Sequence, residues 1–205
     1  MPSITREDIT GLVLAGGRGS RLGGLDKGLL ELHGRPLVAY PLAALDPLAG
    51  GLLISANRHL REYAAWATVV PDAIQGQPGP LAGILTGFEC SQTPWLALAP
   101  CDAPLAQTAL WRRLVQALEK NEAEAAVAER GGRLEPAFCL LHSGLANGLA
   151  ARLARGERGL GAWLETVSPV RVDCSDHPAW FLNINTAEDL ARATTLFAGP
   201  TEETG

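Results

Sequence analysis

Short apolar runs and amphipathic stretches alternate along almost the whole chain. Mainly apolar runs at 9–14, 51–56, 68–70, 95–99, 123–128 and 136–141, and the segment 170–174, read as strands. Between them, residues 36–45, 59–66, 80–90, 105–120, 143–155 and 160–167 carry helical patterns. In the 105–120 segment Leu110, Leu114, Val115 and Leu118 recur on one helical face. Pro36 stands where a helix would open. Thr186-Ala187-Glu188-Asp189 has the spacing of a capping box and predicts a terminal helix to about Phe197. Strand and helix patterns in alternation predict an α/β fold with a mainly parallel sheet. No repeat, long linker or low-complexity tract divides the chain, so residues 1–198 are expected to form one domain, with 199–205 a disordered tail.

The first apolar run leads directly into Leu14-Ala15-Gly16-Gly17-Arg18-Gly19-Ser20-Arg21-Leu22-Gly23-Gly24-Leu25-Asp26-Lys27, which holds five glycines, three cations and one acid. Glycines without Cβ atoms let backbone N–H groups close on an anion, and Arg18, Arg21 and Lys27 add positive charge there. That combination suits a nucleotide triphosphate. It is not a Walker A loop, because Lys27 is followed by Gly28 and Leu29 rather than Ser or Thr. It is not the dinucleotide fingerprint either, because Leu22 occupies the third glycine position. A glycine-rich turn that binds nothing would explain the glycines but not the placed cations.

Composition narrows the function further. Of 205 residues, 47% are hydrophobic and 19% charged, the balance of a globular protein. The net charge is 17 − 22 = −5, with no basic run outside the glycine stretch, which argues against nucleic-acid binding. No apolar run approaches the length of a membrane span. The first ten residues lack the apolar stretch of a signal peptide, so the expected location is cytoplasmic. Cys90, Cys101, Cys139 and Cys174 match neither a zinc site nor a C-x-x-C redox pair and read as packed thiols in a reducing compartment. His33, His59, His142 and His177 are scattered and are read as surface or core residues.

Ligands of an open α/β sheet collect at the carboxyl ends of its strands. Ser55-Ala56-Asn57, Asp72 and Asp102 follow predicted strands and are expected along one crevice with the glycine stretch. Asp102 leaves a strongly apolar strand between Pro100 and Pro104. A lone carboxylate there suits Mg²⁺ carried by a nucleotide, and it equally suits an Asx turn or a cap for the helix expected from residue 105. The small residues of Pro78-Gly79-Pro80-Leu81-Ala82-Gly83 would let a flat base lie against the backbone; an ordinary turn into a helix explains them as well. Arg158 in a glycine-bounded loop is either a phosphate partner or a solvated arginine. Asn183 and Asn185 face one side if extended, and asparagine also serves turns and caps.

Residues 14–27 fill every position of the nucleotidyltransferase pattern L-A-[AG]-G-x-x-x-R-[ML]-G-x-x-[DP]-K. Ala56-Asn57-Arg58-His59, Gly79-Pro80-Leu81-Ala82-Gly83, Pro100-Cys101-Asp102-Ala103-Pro104, Gly156-Glu157-Arg158 and Asn183-Ile184-Asn185-Thr186 extend the likeness from Gly11 to Leu190. Taken together, these segments resemble the molybdenum cofactor guanylyltransferases. The resemblance implies a three-layer Rossmann-like α/β fold with a mainly parallel, mixed central sheet. It implies that GMP passes from GTP to molybdenum-molybdopterin, releasing pyrophosphate. Leu14, Ala15, Gly16, Gly17, Lys27, Ser55, Asp72 and Asp102 would then meet the nucleotide, with Mg²⁺ on Asp102. Arg21, Lys27 and Asp102 would carry the transfer, and Arg158, Asn183 and Asn185 would face the acceptor, Asn185 with a second possible role on the metal. The N-terminal half becomes the GTP side and the C-terminal half the acceptor side. Ser55 departs from the family pattern by placing a hydroxyl where a relative has the amide of Asn. The implied partners are GTP and molybdopterin, with transient contact to molybdoenzymes or other cofactor-synthesis proteins, and the chain is expected to be a monomer. Alternatives are a cytidylyltransferase for the same cofactor, a guanylyltransferase for another phosphorylated acceptor, and a non-catalytic nucleotide-binding carrier.

Overall fold

The computed structural model describes residues 3–15, 26–72 and 79–197. Gly16, Gly17 and Arg21, most of the predicted 75–79 loop and the 199–205 tail lie outside the described residues. In chain order the elements are β1 (Ile9–Leu14), β2 (Glu31–Leu32), β3 (Arg35–Pro36), α1 (Ala39–Leu45), β4 (Gly51–Ser55), α2 (Leu60–Ala64), β5 (Thr68–Val70) and α3 (Pro80–Cys90). The second half continues with β6 (Trp95–Pro100), α4 (Thr108–Asn121), β7 (Ala125–Arg130), β8 (Arg133–His142), α5 (Ala146–Ala154), α6 (Leu160–Thr166), β9 (Val170–Asp173) and α7 (Ala187–Phe197).

Seven described strands form one sheet in the order β5-β4-β1-β6-β8-β7-β9. β8 runs antiparallel to β6 and β7; the other pairings are parallel. The sheet is therefore mixed and mainly parallel, as expected. β1 and β6 are buried on both faces, which is why each reads as an unbroken apolar run. Alternate side chains serve opposite layers. Ile9, Val13, Ala97 and Ala99 pack with α1 and α4, while Leu12, Leu96 and Leu98 pack with α3, α5 and α6. Three layers result, helix on sheet on helix.

Two elements differ from the sequence expectation near the site. Pro36 does not open a helix; it pairs with Glu31 in the β2–β3 hairpin, and α1 starts at Ala39. The intervening His33 and Gly34 turn through positive φ (50° and 71°). The helix expected from residue 105 starts at Thr108 with Gln107 as its N-cap. Asp102 is therefore not its cap, and the capping alternative for that residue falls. The predicted box on α7 is present, with Asp189 N–H donating to Thr186 Oγ1 (3.1 Å) and Thr186 N–H to Asp189 Oδ2 (2.9 Å).

Candidate functional site

The order of the strands reverses at β1, which has β4 on one side and β6 on the other. The helix between β1 and β4 (α1) and the helix between β5 and β6 (α3) pack on opposite faces, and a crevice opens at the carboxyl ends where they diverge. Backbone bonds tie that end together. Ala15 N–H donates to Ser55 O (2.8 Å) and Cys101 N–H to Leu14 O (3.1 Å). Leu14 and Ala15 thus lie on the crevice floor between the ends of β4 and β6.

Three residues far apart in sequence meet at its centre. The Lys27 ammonium lies 3.2 Å from Asp102 Oδ2 and 2.5 Å from Asn185 Oδ1. Lys27 projects from a single 3₁₀ turn, residues Lys27–Leu29. Asp102 follows β6, and its carbonyl accepts Ile184 N–H (2.8 Å). That bond, with Ile184 buried against Leu32, Leu37 and Tyr40, brings the segment before α7 back to the sheet. Asn185 is consequently not spent on capping; its side chain takes Lys27 and donates to Asn183 O (3.3 Å). The side chains of Lys27 and Asp102 are 22% and 15% exposed, enough to reach a ligand yet shielded from bulk water. Asn183 Oδ1 is buried without a hydrogen-bond partner among the described residues.

A second cluster sits beside β4. Ser55 Oγ donates to Asp72 Oδ1 (3.4 Å), and Asn57 grips Asp72 twice, through Asn57 Nδ2 to Asp72 Oδ2 (2.8 Å) and Asp72 N–H to Asn57 Oδ1 (2.9 Å). Gly83 completes it: a Cβ there would overlap Ser55 Oγ and stand 3.4 Å from Asp72 Oδ1. Asn57 lay in a polar group noted from sequence, but its hold on Asp72 becomes visible only when β4 and β5 pair. Arg158 is exposed, and its Cβ is 3.8 Å from where a Cβ on Gly79 would stand, at the start of α3. Its loop is held by Glu157, which pairs with Arg155 Nε (2.9 Å) and with Arg152. These contacts hold the Glu157 carboxyl below its usual range, the hydrogen bond from Arg155 first. The predicted site residues thus fall into two groups, Lys27–Asp102–Asn183–Asn185 and Ser55–Asp72, with Arg158 next to the α3 entry.

Cys101 adjoins Asp102, but burial first, and the Asp102 charge second, push its thiol far above the usual range. It is a packed neutral thiol rather than a nucleophile. Among the described residues no group of three or more His, Cys, Asp or Glu could hold a metal. Asp102 Oδ2 and Asn185 Oδ1 do converge on one positive charge, the Lys27 ammonium. Hard oxygen donors of this kind fit Mg²⁺, which is commonly held by one or two carboxylates together with phosphate and water.

A polar crevice at the β1–β6 reversal, in a chain whose sequence carries a glycine- and cation-rich stretch directly after β1, defines an α/β nucleotide-handling protein. Comparison with known proteins narrows the class. Residues 11–172 match the MobA-like NTP transferase domain. A molybdenum cofactor guanylyltransferase of Cupriavidus taiwanensis is 44% identical over 193 residues, covering 91% of this chain and 96% of its own. One from Vibrio cholerae is 40% identical over 196 residues, covering 96% of each. Among solved structures, molybdopterin-guanine dinucleotide biosynthesis protein A of Archaeoglobus fulgidus superposes with a TM-score of 0.77 at 22% identity, covering 92% of this chain and 98% of that one. The chain belongs to the MobA-like NTP transferase family, within its molybdenum cofactor guanylyltransferases.

Proposed function

We propose that the protein transfers GMP from GTP to molybdenum-molybdopterin, forming molybdopterin guanine dinucleotide and pyrophosphate. The observation that carries this reading is the convergence of Lys27, Asp102 and Asn185 on one point of the crevice. A phosphate oxygen of molybdopterin attacks the α-phosphorus of GTP; the bond to the β-phosphate bridging oxygen breaks, and pyrophosphate leaves in line. The attacking oxygen is already anionic, so the site needs no strong general base. Its work is positioning and charge neutralisation.

Lys27, with Arg21, neutralises the triphosphate and the departing pyrophosphate. Gly16 and Gly17, with Leu14 and Ala15, cradle the phosphates. Ser55 and Asp72 belong to the nucleotide side, where Asp72, held rigidly by Asn57, can accept from a base or sugar. Arg158, Asn183 and Asn185 face the acceptor. Asp102 and Asn185 would hold Mg²⁺, which when bound screens phosphate charge as a Lewis acid. The N-terminal half thus carries most of the GTP side and the C-terminal half the acceptor side. The protein works as a cytoplasmic monomer that meets molybdoenzymes or other cofactor-synthesis proteins transiently. Among the described residues no helix is long and apolar enough to cross a membrane.

The test is pyrophosphate release by the purified protein given molybdenum-loaded molybdopterin, Mg²⁺ and either GTP or CTP. Turnover with GTP and little with CTP is expected. Equal turnover with CTP would overturn the choice of donor, and nucleotide binding without pyrophosphate release would favour the carrier alternative.

A further inference from the structure

Asp26 is the one acid of the glycine-rich stretch and directly precedes Lys27. Its side chain is not at the crevice surface; the residue is only 8% exposed. Asp26 Oδ1 accepts Gly28 N–H (3.2 Å) and the hydroxyl of Tyr63. Tyr63 is fully buried on the short helix α2, which follows β4. The same hydroxyl fills the space beside Gly28: a Cβ on that glycine would overlap it and come within 3.1 Å of Tyr63 Cε1 and Cζ. Leu29 N–H to Asp26 O (3.1 Å) and Leu30 N–H to Lys27 O (3.1 Å) close the turn. Val38 N–H to Gly28 O (2.9 Å) fixes it to the chain entering α1. Lys27 leaves this turn to meet Asp102 and Asn185. Burial, and next the bond to Asp26, raise the Tyr63 phenol above its usual range, so it remains a donor at any working pH.

A buried carboxylate is costly unless its oxygens are satisfied. Without the phenol, Oδ1 of Asp26 keeps only Gly28 N–H among the contacts described here. The carboxylate then gains by turning toward water, and the turn that bears Lys27 turns with it. We propose that Tyr63 is a positioning residue for the transfer reaction: through Asp26, its hydroxyl sets the turn that presents the Lys27 ammonium to the phosphates. This rests on the reading of Lys27 as a phosphate ligand given above.

The test is a double-mutant cycle of wild type, Y63F, K27A and Y63F/K27A. Transfer to molybdopterin from GTP is followed by single turnover, and thermal unfolding by circular dichroism. K27A should lose about a hundred- to a thousandfold in transfer rate. Y63F should lose about ten- to a hundredfold from displacement of the ammonium. In the K27A background Y63F should cost no further rate, while it lowers Tm equally in both backgrounds. A Y63F loss of the same fold with and without Lys27 would overturn the proposal, since the hydroxyl would then act on the fold at large. A wild-type rate for Y63F would overturn it too. A wild-type rate for K27A would remove the reading of the site and this proposal with it. If Y63F does not accumulate, D26N, which keeps the side chain's shape, completes the same cycle with the same expected and opposing outcomes.

Discussion

Asp102 engages its neighbours through two separate groups. Its carbonyl holds the segment before α7 through Ile184, and its carboxylate holds Lys27. Substitution removes only the second. Asp102→Ala should therefore leave the fold and its Tm nearly unchanged and cut transfer by about a hundredfold or more, the usual scale for a lost charge-stabilising group. Near-normal transfer at saturating Mg²⁺ would show that the carboxylate has no part in the chemistry. On the acceptor side the expected signature is different. Arg158→Ala and Asn183→Ala should leave GTP affinity, read by calorimetric titration, almost intact while transfer falls. Asn185→Ala should follow them, unless its oxygen also holds the metal, in which case GTP–Mg²⁺ affinity drops as well. Wild-type transfer by the Arg158 and Asn183 variants would return them to surface and turn roles.

At the scale of elements, α3 shows how closely a helix start is fitted to the nucleotide side. Gly83 leaves no room for a methyl group beside Ser55, whose Cβ would be only 3.1 Å away even with its hydroxyl turned aside. Gly83→Ala should cost about 1–3 kcal/mol of overpacking. For a chain of this size that is a fall in Tm of roughly 2–4 °C per kcal/mol. Adding Ser55→Ala should recover part of the loss; a Tm equal to wild type for Gly83→Ala would mean that α3 shifts freely. The helix itself was readable in the sequence, since Pro80 at its first turn and an apolar face mark it. So were the seven strands of the sheet, β1 and β6 most plainly, because strands buried on both faces appear as unbroken apolar runs. The return strand β3 of the β2–β3 hairpin was not, because two residues leave no period to read. The late start of α4 was hidden for a related reason: residues 103–106 are apolar and, apart from half-buried Leu105, buried, yet they form an irregular crossing to Gln107 rather than a helical turn. At the site, Lys27 and Asp102 were legible because each stands at a strand end or in a pattern of spaced cations. The pairing of Tyr63 with Asp26 was not, since 37 residues separate them and nothing local marks a buried phenol as a carboxylate's partner.

The molecule as a whole couples folding to pH in opposite senses at its two limits. Asp176 is held down to about 2, first by its hydrogen bond from Arg113, and Asp8, Glu157, Asp173 and Asp189 also lie below their usual range through hydrogen bonds. A carboxyl lower in the folded state adds stability that is complete above its unfolded value near pH 4 and vanishes as pH falls through the folded one. These groups are exposed or half-buried at the surface, so salt and water screen them and the acid limb should be gentle. On the alkaline side Tyr63, Cys101 and Cys139 lie above their ordinary values of 10.0, 9.0 and 9.0, chiefly because they are buried. Their contribution is complete below those ordinary values and is lost as pH rises toward the folded ones, since only the unfolded chain can ionise them cheaply. Buried groups are poorly screened, so this limb should be the steeper. Thermal unfolding across pH should show a plateau from about pH 5 to about pH 8. Below it, Tm should fall gently, less so for D176N, and the fall should shrink in high salt. Above about pH 9 it should fall steeply and with little dependence on salt, and Cys139→Ala should lower the plateau but flatten that limb. An alkaline limb that weakens with salt as much as the acid one would mean that surface charge, rather than the buried thiols and phenol, sets the upper limit of stability.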